Sequence, residues 1–143
     1  QGTLSFAHEL VRYSIGQASE GNTQSIELCK KLLVEFVQKI RGYKPNGKDF
    51  PRIVLFSPIA FEDLKDPNLP NGTRHNRNLA AFARATEQAA KEVGVACVNL
   101  YEPTAKLYQE LDRPLTINGI HLNEFGNARV AEVISMALLK NKI

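Results

Sequence analysis

The chain has 143 residues, of which 43% are hydrophobic and 23% charged, and this composition is typical of one globular domain and excludes disordered and collagen-like chains. Eighteen basic residues stand against fifteen acidic ones and are spread over several segments without interleaved aromatic residues, which argues against a nucleic-acid surface. No apolar run approaches the ~20 residues that a membrane span requires, so we expect no membrane span.

The chain begins at Gln1 and its one methionine is Met136, so we expect that a segment preceded Gln1 and leave the cellular location open. Residues 1–143 are therefore interpreted as a single domain, incomplete at its N-terminus. Cys29 and Cys97 lack the spacing of a zinc site or a redox pair, and each lies at an apolar position. We predict buried, unreactive thiols, no metal site and no cofactor.

The spacing of the apolar residues predicts helices that alternate with strands. In chain order these are a helix over 4–15, an amphipathic helix over 24–41, a strand over 52–57, a helix over 74–93, a strand over 95–100, a short helix over 101–111 and a final helix over about 124–139. The start of this segment, residues 2–4, fits the tail of a truncated strand equally well. Gly42 and Gly94 lie where helix C-caps would be, and Asn123 is a good N-cap.

Both predicted strands are continuous apolar runs, the kind that a parallel sheet buries on both faces. Helices alternating with such strands predict a doubly wound α/β domain with a parallel sheet. Stable sheets generally have three or more strands, and this chain has two convincing ones. We therefore expect that N-terminal strands are missing, and that the chain pairs with its missing N-terminal half, with another copy or with another subunit.

A long loop over 58–73 follows the first predicted strand, and long loops inside compact domains are usually functional. Ligands of open α/β sheets bind at the carboxyl ends of the strands, which makes Ser57, His75 and Asn76 candidates for substrate binding. Ser57 lacks the G-x-S-x-G context that exposes a nucleophile. For His75 and Asn76, a solvated first helical turn is the alternative interpretation.

Residues 115–126, LTINGIHLNEFG, bring an amide and an imidazole together just before the final helix. Gly119 permits a sharp turn, so that the Asn118 side-chain oxygen can accept a hydrogen bond from His121 Nδ1 and leave Nε2 for a substrate. This is the general base and its orienting partner in a catalytic triad. A simple chain reversal with an exposed histidine explains the same residues.

The segment NGIHLNEFG, with the strands RIVLFSP and VACVNL before it, resembles the last conserved block of the SGNH, or GDSL-like, hydrolase family over residues 50–140. The resemblance implies a flavodoxin-like three-layer α/β/α fold and Ser-His acyl transfer on esters, often acetylated carbohydrates or lipids. It makes His121 the general base and puts Asn118 where the family has an aspartate. The exchange of that aspartate for asparagine lowers kcat about 10⁴-fold in a serine protease. In this chain, Asp112 or Glu124 could take the place of the aspartate only if the fold brings one of them to Nδ1.

The family's G-D-S nucleophile block is not found in this chain, and residues 2–5 are the nearest remnant of its G-x-N-D block. Two functions stay open for a chain that acts on a small-molecule ester or a carbohydrate. One is the C-terminal part of an esterase, and the other is a non-catalytic binding module that keeps the cleft. A third alternative, an unrelated flavodoxin-like domain, lacks the glycine loop that cradles a phosphate.

Overall fold

The computed structural model describes residues 23–44 and 46–140, which form four helices and a two-stranded parallel sheet. The elements are α1 (Thr23–Arg41), β1 (Val54–Phe56), α2 (Thr73–Val93), β2 (Ala96–Val98), α3 (Tyr101–Glu110) and α4 (Glu124–Lys140). The predicted α/β class with a parallel sheet is confirmed. The predictions for residues 2–5 and 4–15 lie outside the described residues. No helix in the described part of the chain is long and apolar enough to cross a membrane.

The two strands are shorter than the sequence predicts, with three residues each. They pair in parallel, with Val54 opposite Ala96 and Phe56 opposite Val98. The amide of Ser57 adds one more bond, to the carbonyl of Val98 at 3.0 Å. The next residue in the chain is Pro58, which has no N–H group to donate, and the ladder ends there.

Two of the helix caps predicted from the sequence are present: Gly94 ends α2 and Asn123 begins α4. Gly94 has a φ of 65°, in the left-handed region, and its N–H group donates to Ala90 and Lys91 carbonyls. The Asn123 Oδ1 accepts the N–H of Gly126 at 2.8 Å, which caps α4 as predicted. Gly42 follows the last residue of α1 without a positive φ, so it ends that helix without the left-handed turn.

Apolar side chains cover both faces of the sheet because successive residues of a strand point to opposite faces. Leu55 packs against a buried cluster formed mainly by α1 and α2, and Val54 packs against a second cluster that includes α4. The sheet therefore lies between helices on both sides, in three α/β/α layers. The first cluster is built from Val34, Val37, Ala89 and Val93, and the second from Val98, Leu100 and Val130.

The two thiols are Cys29, which is buried, and Cys97, which is half-buried. Burial, with a smaller effect of the Glu87 charge, raises the pKa of the Cys97 thiol to about 11. Cys97 therefore stays protonated at neutral pH, where the thiolate is the reactive form of cysteine.

Candidate functional site

Asn118 and His121 are in direct contact in the loop before α4. The Asn118 Oδ1 lies 3.1 Å from His121 Nδ1, and it also accepts the backbone N–H groups of His121 at 3.0 Å and Ile120 at 3.3 Å. Because N–H groups donate to the oxygen of an amide and not to its nitrogen, these two bonds identify which end of the amide faces the ring. In the neutral ring, Nδ1 then carries the proton and Nε2 carries the free lone pair.

The loop that holds this pair is a tight reversal. Thr116 and Leu122 form an antiparallel bridge, and the N–H of Ile117 donates to the carbonyl of His121 at 2.9 Å. Gly119 stands at the bend with a φ of 87°, and a Cβ there would overlap the ring of Phe61. The bend therefore requires glycine for its backbone angle and for its close approach to Phe61.

A buried carboxylate, Glu62, lies beneath this loop and is 6% exposed. Its oxygens accept the N–H of Leu115 at 3.0 and 3.1 Å, the N–H of Thr116 at 2.7 Å and the Thr116 hydroxyl at 2.6 Å. The Glu62 N–H donates to the carbonyl of Gly119 at 2.9 Å. Residues that follow the carboxyl end of β1 thus hold the loop that carries His121.

The predicted site residue Ser57 is buried, with 3% of its surface exposed. Its Oγ accepts the N–H groups of Leu100 at 2.8 Å and Tyr101 at 3.2 Å, and its hydroxyl donates to the carbonyl of Pro58 at 3.1 Å. The hydroxyl therefore connects the end of β1 to the start of α3. With its proton and both lone pairs engaged, it is not placed as a nucleophile.

The predicted site residues His75 and Asn76 both contact Phe61. The Asn76 Oδ1 accepts the Phe61 N–H at 2.8 Å, and its Nδ2 donates to the Phe61 carbonyl at 2.9 Å. The His75 ring stacks on the Phe61 ring at 5.1 Å. Since Phe61 also packs against Gly119, the first turn of α2 and the His121 loop meet at this phenylalanine. A substrate-binding role for either side chain stays a prediction.

A largely apolar cavity of about 460 Å³ lies beside the loop. Its lining includes Leu33 of α1, Leu55 of β1 and Phe82 of α2, together with His75 and Ile120. Ile120 is the neighbour of His121 in the chain, so the cavity reaches the loop that presents the imidazole. It does so from the side of the sheet that α1 and α2 cover.

No carboxylate replaces Asn118 at the ring within residues 23–44 and 46–140. The described salt bridges do not include His121, and its Nδ1 pairs with the amide and not with Asp112 or Glu124. The same ranges contain no group of three His, Cys, Asp or Glu side chains that could hold a metal ion. The orienting partner of the imidazole is therefore neutral.

The sequence interpretation missed Glu62, Phe61 and Thr116, which organise the loop. Glu62 is one of three acidic residues in the segment 58–73, and its neighbour Asp63 is paired with Lys65 at 2.7 Å, which lowers the Asp63 pKa. The signal that could have found Glu62 is the apolar run Ile-Ala-Phe just before it, since an apolar run inside a polar loop indicates local burial.

Among solved structures, the fold is similar to that of an acetyl xylan esterase, AlAXEase, with a TM-score of 0.56 at 19% sequence identity. The similarity covers 87% of this chain and 62% of the esterase chain, so this chain spans less than two thirds of that protein. No family model and no curated protein sequence matches the chain. A likeness at this identity describes the fold, and function has to be argued from the site.

Proposed function

We propose that this chain carries the general-base part of an SGNH-type esterase site, with His121 as the base and Asn118 as its orienting partner. The observation that carries the proposal is the 3.1 Å contact between Asn118 Oδ1 and His121 Nδ1, which leaves Nε2 free to take a proton. The similarity of the fold to an acetyl xylan esterase supports it. The substrate class is a small-molecule ester, with acetylated carbohydrate as the first choice.

In this mechanism, His121 Nε2 takes the proton of a serine hydroxyl whose oxygen forms a bond to the acyl carbon of the ester. The imidazolium then returns the proton to the leaving alcohol as the ester bond breaks, and water reverses the sequence to release the acid. The hydroxyl of Ser57 is engaged in hydrogen bonds. Since this chain also contains no G-D-S block, the proposal requires a serine from outside this chain. Asn118 supplies orientation without charge, so the imidazolium gains less stabilisation than beside a carboxylate.

The second candidate is a binding module that recognises an acetylated carbohydrate without turning it over. Two observations favour it: the neutral Asn118 at the ring, and the engagement of Ser57 in hydrogen bonds to the backbone. In that case the His121 loop would contribute contacts to the ligand, and the cavity of about 460 Å³ beside it would take an apolar part of the ligand.

Hydrolysis of p-nitrophenyl acetate and of acetylated xylan, measured on a purified protein that includes the segment supplying the serine, separates the two candidates. For an esterase, His121→Ala abolishes turnover. Asn118→Asp raises kcat about tenfold, because a charge-assisted hydrogen bond exceeds a neutral one by roughly 1–1.5 kcal/mol. Asn127→Asp adds the same charge at an exposed position of α4 and should leave kcat unchanged.

Equal turnover by the wild type and His121→Ala would refute a catalytic role for this histidine. No turnover by any variant, together with binding of acetylated xylo-oligosaccharides in calorimetry that weakens in His121→Ala, would favour the binding module.

A further inference from the structure

We infer that Glu62 is a positioning residue for His121: its buried carboxylate holds the loop in the one shape in which Asn118 keeps the ring proton on Nδ1. This inference rests on the proposed function, because it explains how a neutral amide can serve in place of the aspartate. It concerns the form of the ring before any substrate binds, and it can therefore be tested without turnover.

The burial of Glu62 is the first step of the argument. A carboxylate that is 6% exposed loses most of its hydration, and burial of a charge is costly unless hydrogen bonds replace the water. No salt bridge between described residues includes Glu62, so no described cation pairs with it. Its donors are instead Leu115 and Thr116, which lie 53 and 54 residues further along the chain. The charge is therefore matched by groups of the His121 loop.

The second step is the connection from Glu62 to the bend. The Thr116 hydroxyl donates its single proton to the Glu62 Oε2, so its lone pair is free to accept the N–H of Gly119 at 3.0 Å. The carbonyl of Gly119 accepts the N–H of Glu62 itself. Both polar groups of Gly119 are thus fastened to Glu62, one through Thr116 and one directly.

The third step is the consequence for the ring. Gly119 joins Asn118 to Ile120, and the Asn118 Oδ1 accepts the N–H of Ile120 and of His121 as well as pairing with Nδ1. If the bend at Gly119 relaxes, these backbone bonds lengthen and the amide is free to turn its NH₂ group toward the ring. An NH₂ group donates to Nδ1 and drives the ring proton to Nε2, which removes the base. Glu62 thereby acts on His121 through the shape of the loop.

Multiple-bond ¹H–¹⁵N NMR of the ¹⁵N-labelled protein at pH 8.5, where a histidine ring is ordinarily neutral, reports which ring nitrogen carries the proton. The His121 signal is assigned by its disappearance in His121→Ala. In the wild type we expect the Nδ1–H form in about fivefold excess, the ratio that one net hydrogen bond supplies. In Glu62→Gln one carboxylate oxygen becomes a donor that faces loop N–H groups, and we expect the two forms in comparable amounts.

Glu102→Gln is the matched control, because Glu102 is exposed in the first turn of α3 and should leave the His121 signal unchanged. Thr116→Val and Thr116→Ser test the link without changing a charge: valine should shift the ring proton and serine should keep the wild-type form. If Glu62→Gln does not fold, this second pair decides the question alone.

A folded Glu62→Gln protein with the wild-type ring form would overturn the inference, as would Thr116→Val with no shift. These failures are distinct from failure of the proposed function. A protein that hydrolyses no ester but whose ring form depends on Glu62 keeps this inference and loses the esterase, whereas an active protein whose ring form ignores Glu62 does the reverse.

Discussion

Replacing Gly119 with alanine tests whether the bend of the His121 loop depends on its contact with Phe61. The φ of 87° would cost alanine about 1–2 kcal/mol, the penalty of the left-handed region for a residue with a Cβ. The new Cβ would also overlap the Phe61 ring and lie 2.9 Å from the Glu62 carbonyl oxygen. The ring has little room to move, since it is stacked on His75 and buried. Overpacking of this kind costs roughly 1–3 kcal/mol.

Alanine also restricts the unfolded chain more than glycine does, which raises the free energy of unfolding by about 0.4–1 kcal/mol. The free energy of unfolding should therefore fall by about 1–4 kcal/mol in Gly119→Ala. Gly47→Ala is the control, because Gly47 has a similar φ of 71° and nothing within 4 Å of the added Cβ. The free energy of unfolding should fall by about 1–3 kcal/mol less in Gly47→Ala than in Gly119→Ala, because the overlap with Phe61 is absent there.

Urea unfolding followed by far-UV circular dichroism measures both losses, provided that the two variants keep the wild-type m value. An equal loss of stability in Gly119→Ala and Gly47→Ala would refute the argument, because the backbone angle alone would then explain both. The His121 ring signal gives a second readout: the overlap should displace the loop and mix the two ring forms, which Gly47→Ala should not do.

Gly126→Ala should lower the free energy of unfolding by roughly 1–3 kcal/mol, because the added Cβ would overlap the Leu115 backbone. Gly42→Ala should not, because the nearest atom to its added Cβ is 3.5 Å away. Equal losses of the two variants in urea titrations would contradict this. Burial, and to a smaller extent the Glu62 charge, raises the Tyr108 pKa from its ordinary value of 10 to about 12. The part of the free energy of unfolding that this shift contributes is fully present below pH 10 and should be lost as the pH rises through about 12. Tyr108→Phe should lose this part of the alkaline transition, and an unchanged alkaline titration would contradict the expectation. With a Cys97 pKa of about 11, iodoacetamide at pH 8 should label this thiol more slowly than a cysteine peptide, as mass spectrometry would show; an equal rate would be contrary evidence.

The elements of this fold could be predicted from the sequence because each depends on a local pattern. The apolar period along α2 and the glycine that ends it lie within about two dozen consecutive residues, and the Asn123 cap bonds three residues ahead. The contact between Asn118 and His121 is equally local, since a turn with glycine at its centre brings residues three apart together. The short range of these interactions is why the spacing of residue types indicates them.

The contacts that hold the loop in place join residues far apart in the chain, and no local pattern specifies them. Ser57 reaches Leu100 across 43 residues, and Glu62 reaches Leu115 across 53. The local sequence around a serine at a strand end, or around an acidic residue in a polar loop, does not indicate whether the side chain faces solvent or is buried. The sequence by itself determined the four described helices, the caps at Gly94 and Asn123, and the pairing of the imidazole with its amide. Only the tertiary structure decided which carboxylate lies beneath them, because burial of that charge requires the two loops to meet.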